Sequence, residues 1–148
     1  MRNPLQLFPA TMVLLALTVT TAVAASLNLT VEGIQDAEGR IAIAIFNSEA
    51  GFPDDHEKAV KHFFVPLKKP DRSVTIAIND LPSGQYAIAL FHDNNLSGKL
   101  ETNLFGIPRK GYGFSNNVNP SLRSAYFEEA VFTLLEQGQA MTIKMIYR

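Results

Sequence analysis

The sequence predicts an all-β fold, a single antiparallel β-sandwich of about seven strands carrying one long ordered loop. Three observations predict it. Apolar residues recur at every second position through several short runs. Those runs are separated by Gly, Pro, Asn and Asp, and no segment beyond residue 25 has the apolar period of an amphipathic helix. At 148 residues the chain is long enough for one hydrophobic core and too short for two.

The N-terminal segment stands apart. Arg2 is its only charge, an apolar run extends from Met12 to Val23, and Ala22, Ala24 and Ala25 supply the small residues of a cleavage site. Residues 1–25 are therefore expected to be a cleaved signal peptide and 26–148 the β-sandwich domain. A membrane anchor is the competing reading, but the run is roughly a dozen residues, against the ~20 that span a hydrocarbon core. The expected destination is the periplasm or the exterior, with no transmembrane span once the signal is removed. Loss of Arg2 leaves 12 basic residues against 14 acidic, a net charge of −2 that offers nothing to nucleic acid. With no cysteine the chain has no disulfide, thiolate nucleophile, thiolate metal site or cysteine-linked lipid.

In "SLNLTVEG", Leu27, Leu29 and Val31 share one face of a half-buried strand. The turn "DAEG" (Asp36 to Gly39) leads into "RIAIAIFN", where Ile41, Ile43 and Ile45 alternate with alanines, and the two runs read as a hairpin. Gly51 and Pro53 break the pattern, and Asp54 or Asp55 is placed to cap a short helical turn ending near Val60. "HFFVPL" and "SVTIAI" are two further strands. Pro66 places the first of them at a sheet edge, because proline cannot donate to a ladder. "LPSGQYAIALFHD" is a turn and a strand with Tyr86, Ile88 and Leu90 on one face, delivering His92 and Asp93 to its exit. From Asn94 to about Arg123 alternation is lost and a loop is expected. Strands near "EAVFTLL" and "MTIKMIY" close the fold.

A loop near 30 residues is uncommon in a compact domain and is usually functional. Its opening, "HDNNLSGKLETN", has the order of a calcium loop: oxygen-bearing Asp93, Asn95, Ser97 and Glu101 at positions one, three, five and nine, Gly98 at six, and the Lys99 carbonyl at seven. Leu104 stands where the twelfth-position glutamate would be, so a bound calcium would be weakly held and completed from elsewhere. The alternative is a set of Asx turns bonded to their own backbone. In "NLFGIPRKGYGFSNN" aromatic residues pin a glycine-rich lid, and Arg109, Lys110 and Tyr112 are placed to meet an anionic or sugar-like ligand. His56, His62 and His92 lack zinc spacing, and no nucleophile elbow or phosphate loop is present in the sequence.

The stretch "HDNNLSGKLETNLFGIPRKGYGFSNN", with "DLPSGQYAIALFHD" before it and "FEEAVFTL" and "MTIKMIY" after it, resembles the signature of the bacterial secreted domain of unknown function 2141 family. The resemblance covers the whole region after the signal. It implies a periplasmic or secreted sandwich of immunoglobulin-like or transthyretin-like kind, with no established reaction. The matching positions are His92, Asp93, Asn95, Gly98, Lys99, Thr102, Asn103, Gly106, Pro108, Gly111, Gly113, Phe114, Ser115 and Asn116. Leu96, Ser97 and Glu101 depart from the residues usual there.

The expected function is that of an exported binding or accessory module. Its candidate ligand-binding residues are His92, Asn103, Arg109, Tyr112, Phe114, Ser115 and Asn116. Asp93, Asn95, Ser97, Lys99 and Glu101 are the candidate calcium ligands, calcium being the one cofactor considered and none being required. The partner would be a protein or small ligand of the cell envelope. No catalytic residue is assigned. Two alternatives stay open: a small periplasmic enzyme with His92 as general base oriented by Asp93, which requires the strand to end between them, and an envelope component that self-assembles through the edge of its last strand.

Overall fold

The computed structural model describes residues 24–148; the signal peptide expected at 1–25 falls almost wholly outside them. Eight strands follow in order: β1 (Ala24–Glu32), β2 (Arg40–Phe46), β3 (Lys61–Pro66), β4 (Ser73–Pro82), β5 (Gly84–Asp93), β6 (Tyr112–Phe114), β7 (Phe132–Leu134) and β8 (Gln139–Lys144). They form two sheets, β4-β1-β8 and β3-β2-β5-β6, with β7 also paired to β5. The fold is all-β and sandwich-like. Among the described residues, helix is confined to short pieces, α1 (Phe127–Ala130) and single 3₁₀ turns at His56–Lys58 and Ser115–Asn117.

The alternation read from β1 and β2 forms the core. Leu27, Leu29 and Val31 from one sheet meet Ile41, Ile43, Ile45, Ile88 and Leu90 from the other, and Ile143 joins from β8. Each such side chain contributes about 1.5–3 kcal/mol by leaving water. The pairing of β1 with β2 is not a hairpin, contrary to expectation. β1 pairs with β4 and β8, whereas β2 pairs with β3 and β5, so residues 33–39 cross from one sheet to the other. Two strands with one aliphatic face each bury more by facing across the core than by lying side by side.

One pair departs from the antiparallel pattern, since β8 runs parallel to β1. Beyond β8, Met145 donates to Glu32 of β1, while Ile146 exchanges two hydrogen bonds with Tyr112 of β6, closing one side of the sandwich. β6 lies in the stretch expected to be loop. Its period is hidden because glycines, Gly111 just before the strand and Gly113 within it, hold the inward positions that alternate with Tyr112 and Phe114. A Cβ on Gly113 would sit 2.8 Å from Ile143 Cγ2, so glycine is what lets β6 approach β8. Pro66 lies on the outermost strand of its sheet, as expected. The turn at His56–Lys58 follows Asp55, but no aspartate side chain caps it.

The five-stranded sheet has a second buried face. Ala42, Ala44, Phe46, Ala87, Ala89 and Phe91 alternate with the core residues and point away from the sandwich. Residues of the 46–60 and 94–131 connections, including Phe52, Leu100, Ala125 and Phe127, cover part of this face and build a second apolar cluster.

Gly39 joins the sheet crossing to the loop. It has φ +73°, and a Cβ there would overlap the Asp93 carbonyl oxygen. Gly39→Ala should lower stability by about 2–4 kcal/mol, combining left-handed strain with overpacking, as a reduced urea midpoint at unchanged m would record.

Candidate functional site

β5 ends with His92 and Asp93 on opposite faces, because it remains paired through both residues: His92 opposes Ile41 and Asp93 opposes Arg40. The His92 ring turns into the sandwich and is 1 % exposed. Its Nε2 lies 2.7 Å from the Glu38 carbonyl and its Nδ1 3.0 Å from the Tyr147 hydroxyl. A proton on Nε2 satisfies both contacts, with Tyr147 donating to Nδ1. The alternative of a His92–Asp93 general-base pair, which required the strand to end between the two residues, is therefore ruled out by this geometry. His92 anchors the β1–β2 crossing and the chain end, and the Asp93 loop is held from elsewhere.

Asp93, on the outer face, is fully buried. Its Oδ2 accepts from Arg40 Nε at 2.9 Å and from the Gly98 N–H at 3.0 Å. Gly98 has φ +72°, the left-handed turn that glycine makes without strain. The loop then curls as its spacing suggests, and its oxygens converge on one point. At that point sits the Lys110 ammonium. Nζ lies 3.2 Å from Asp93 Oδ1, 2.6 Å from Asn95 Oδ1, 2.7 Å from Ser97 Oγ and 2.9 Å from the Lys99 carbonyl. Glu101 Oε1 completes the set at 3.5 Å.

All five expected calcium ligands thus surround a lysine. The Asx contacts form as well: Ser97 N–H donates to Asn95 Oδ1, and Asn95 Nδ2 donates to Glu101. Lys99 presents its carbonyl to the site while the residue itself is exposed. Sequence spacing could not foresee Lys110, eleven residues beyond Lys99 and reaching back from the start of β6. The available signal was a lysine flanked by Arg109 and Gly111 where β-alternation resumes.

Electrostatics follow from this geometry. Burial alone would raise the Asp93 carboxyl, but Arg40, the Gly98 N–H and Lys110 outweigh it and hold the group below its usual range. Glu101 is likewise lowered, first by Asn95 and then by Lys110.

Beside the cage, on the outer face of β2 and β5, lies a cleft of about 570 Å³. Ala42, Ala44 and Ala89 line it, with Phe64, Phe91, Tyr112 and Phe114 among its aromatic neighbours and Thr102, residues 106–108 and residues 120–124 at its sides. Arg148 straps one side, donating to the Tyr112 hydroxyl at 2.7 Å, Asn119 Oδ1 at 2.6 Å and the Pro120 and Ser121 carbonyls. Arg123 is held by Glu129, whose carboxyl is lowered to about 2. His56 and His62, rings edge to face at 5.0 Å, and Asp54, raised by burial, line the same cleft.

Of the candidate ligand-binding residues, Tyr112 and Phe114 line this cleft. Asn103 accepts from the Phe105 and Ile107 N–H groups and shapes a turn. Ser115 Oγ accepts from Ile88 N–H and donates to the Ala130 carbonyl, and Asn116 donates to the Glu129 and Val131 carbonyls. Arg109 is exposed and is not among the cleft residues. The alanine row, Phe64, Arg148 and the His56–His62 pair were not foreseen, because small residues in a strand read as ordinary alternation until the sheet has a covered outer face.

Residues 29–144 match the family model described as "Uncharacterized protein conserved in bacteria (DUF2141)". No curated protein and no solved structure matches the chain.

Lys110→Met leaves Asp93 buried with one cation fewer and should cost about 3–5 kcal/mol, a fall in Tm of roughly 10 °C or more by calorimetry. Acid unfolding should also move. A carboxylate lowered in the folded state stabilises above its unfolded pKa, and that stability is lost as pH falls through the folded pKa. Removing Lys110 raises the folded pKa of Asp93, so a circular-dichroism titration should show unfolding beginning at higher pH in the variant.

Proposed function

Because the chain belongs to the DUF2141 family of bacterial proteins, which carries no described activity, we propose its function from geometry: an exported binding module that takes a small, largely apolar ligand in the outer-face cleft. The observation that carries this reading is the alanine row. Ala42, Ala44 and Ala89 leave the middle of a sheet face shallow while aromatic residues stand around it, and the volume lies within the ~300–1,000 Å³ of small-molecule sites. The two arginines beside the cleft are bonded to neighbouring chain, which favours an uncharged body for the ligand. Asp54, His56 and His62 offer a polar contact for one end. Export rests on the N-terminal sequence, with the periplasm or exterior as destination. Assembly through the β8 edge has less support, because Asn117 already donates to the Thr142 carbonyl and accepts from the Lys144 N–H there.

The Lys110 cage supports a second reading. We propose that the lysine ammonium and calcium are alternative occupants of the same five oxygens, so calcium enters only when Lys110 is displaced or replaced. The oxygen set suits a hard cation, and the central position is where the ammonium lies.

Two measurements check these readings. The neutral dye N-phenyl-1-naphthylamine should bind with enhanced fluorescence, and Ala44→Phe, which fills the cleft, should weaken binding at least about tenfold while Tm stays close to wild type. Equal dye binding by the variant would reject the cleft. Millimolar calcium against chelator should leave the wild-type Tm unchanged and raise that of Lys110→Ala, by about 2.7 kcal/mol of stability if calcium reaches 100 times its Kd. An equal rise in both proteins would show that the two cations do not compete.

A further inference from the structure

The turn beyond the lysine cage holds two adjacent, strongly exposed apolar residues: Leu104 is 99 % and Phe105 86 % accessible. The turn beneath them is tightly built. The Phe105 and Ile107 N–H groups donate to Asn103 Oδ1 at 2.9 and 3.0 Å. Gly106 donates to the Asn103 carbonyl at 3.0 Å, Asn103 to the Ile107 carbonyl at 2.9 Å and Arg109 to the Glu101 carbonyl at 2.8 Å. Thr102 faces Pro108 across a β-bridge, and Pro108 has no N–H to satisfy. The result is a narrow projection with Leu104 and Phe105 at its apex.

We infer that this apex is a shallow membrane-insertion tip that seats the domain on an anionic phospholipid surface. Three features favour lipid over a protein partner. Two apolar side chains on a protruding turn suit a fluid phase that closes around them, whereas a protein partner needs a matching pocket and a broader contact area. The Phe105, Gly106 and Ile107 N–H groups are bonded within the turn, which lowers the cost of moving the apex out of water into the headgroup–acyl boundary. Exposed Lys99 and Arg109 stand at the base of the projection, where the one neighbouring carboxylate, Glu101, is turned to Lys110 at 3.5 Å, leaving the two cations to meet headgroup charge. Ile107 and Pro108 of the same turn line the cleft, so seating the apex in lipid brings the cleft to the membrane surface.

Because the chain has no cysteine, one introduced residue reports from one place. Residues 26–148, the chain without its expected signal peptide, are labelled with nitrobenzoxadiazole at Leu104→Cys, or at Glu136→Cys as control. Glu136 follows β7, whose Leu134 pairs with Gly84 at the start of β5, so it lies at the far end from the loop that leaves Asp93. With vesicles of phosphatidylcholine and phosphatidylglycerol, the label at 104 should brighten, shift to the blue and be quenched by lipids brominated in the acyl chains, while the label at 136 stays unchanged. Vesicles of phosphatidylcholine alone should give a weaker response. Adding Phe105→Ser to the Leu104→Cys chain should raise the lipid needed for half-response by about tenfold.

A label at 104 that stays silent while the chain sediments with vesicles would overturn the inference, since another segment would then hold the membrane. Equal responses at 104 and 136, or no effect of Phe105→Ser, would overturn it too. The dye experiment on the cleft uses different residues, so either proposal can fail without the other.

Discussion

One buried charge organises the loop-bearing end of this domain. The Asp93 carboxylate is fully removed from solvent, where an unpaired charge would cost several kcal/mol. Its partners come from separate parts of the chain: Arg40 opposite it on β2, Gly98 within the loop, and Lys110 at the approach to β6. Arg40 in turn lies 3.6 Å over the centre of the Phe64 ring on β3. Satisfying one carboxylate therefore sets the end of β5, the curl of the loop and the return of the chain, and links three strands of the larger sheet. Each partner is also a hydrogen-bond donor with a fixed direction, so the arrangement defines geometry as well as charge balance.

The larger sheet is asymmetric in a way that separates the packed core from the open cleft. Its inner face uses Ile41, Ile43, Ile45, Ile88 and Leu90, large branched side chains that fill the sandwich. Its outer face uses alanine at alternate positions of the same strands. A shallow central surface lets the connecting segments pack at the margins through Phe52, Leu100 and Phe127 while the middle stays open. The third layer is thus made of loop, and strapping by Arg148 and Arg123 gives that loop the fixed position that sheet pairing gives a strand.

Much of this was legible in the sequence wherever a residue's role depends on its immediate neighbours. The alternation through Leu27, Leu29 and Val31 and through Ile41, Ile43 and Ile45 marked the strands and their buried faces, and Pro66 marked an edge. The oxygens of the Asp93 loop were identified from spacing, and they do converge. What spacing leaves open is which separate segments meet. A turn between two strands says that the chain reverses, yet both a hairpin and a crossing between sheets do so. β6 was obscured because its inward positions are glycines chosen for the approach of Ile143, which a pattern of hydrophobicity cannot register. Lys110 was visible as a basic loop residue, but its place among the oxygens depends on the return of β6 to β5. His92 read as a ligand-binding residue at the strand exit beside Asp93; strand pleating sends its ring to the other side, toward Tyr147.

The cation in the Asp93 loop travels with the chain. A free ion is held in proportion to its concentration, and dilution or a competing chelator empties its site. A lysine attached to the same polymer has an effective concentration set by the length of backbone between it and its oxygens, a quantity that the surrounding fluid does not change. The loop thereby gathers its oxygens around a cation with the constancy of a covalent structure, and the surface it supports is presented in the same shape however dilute the surroundings.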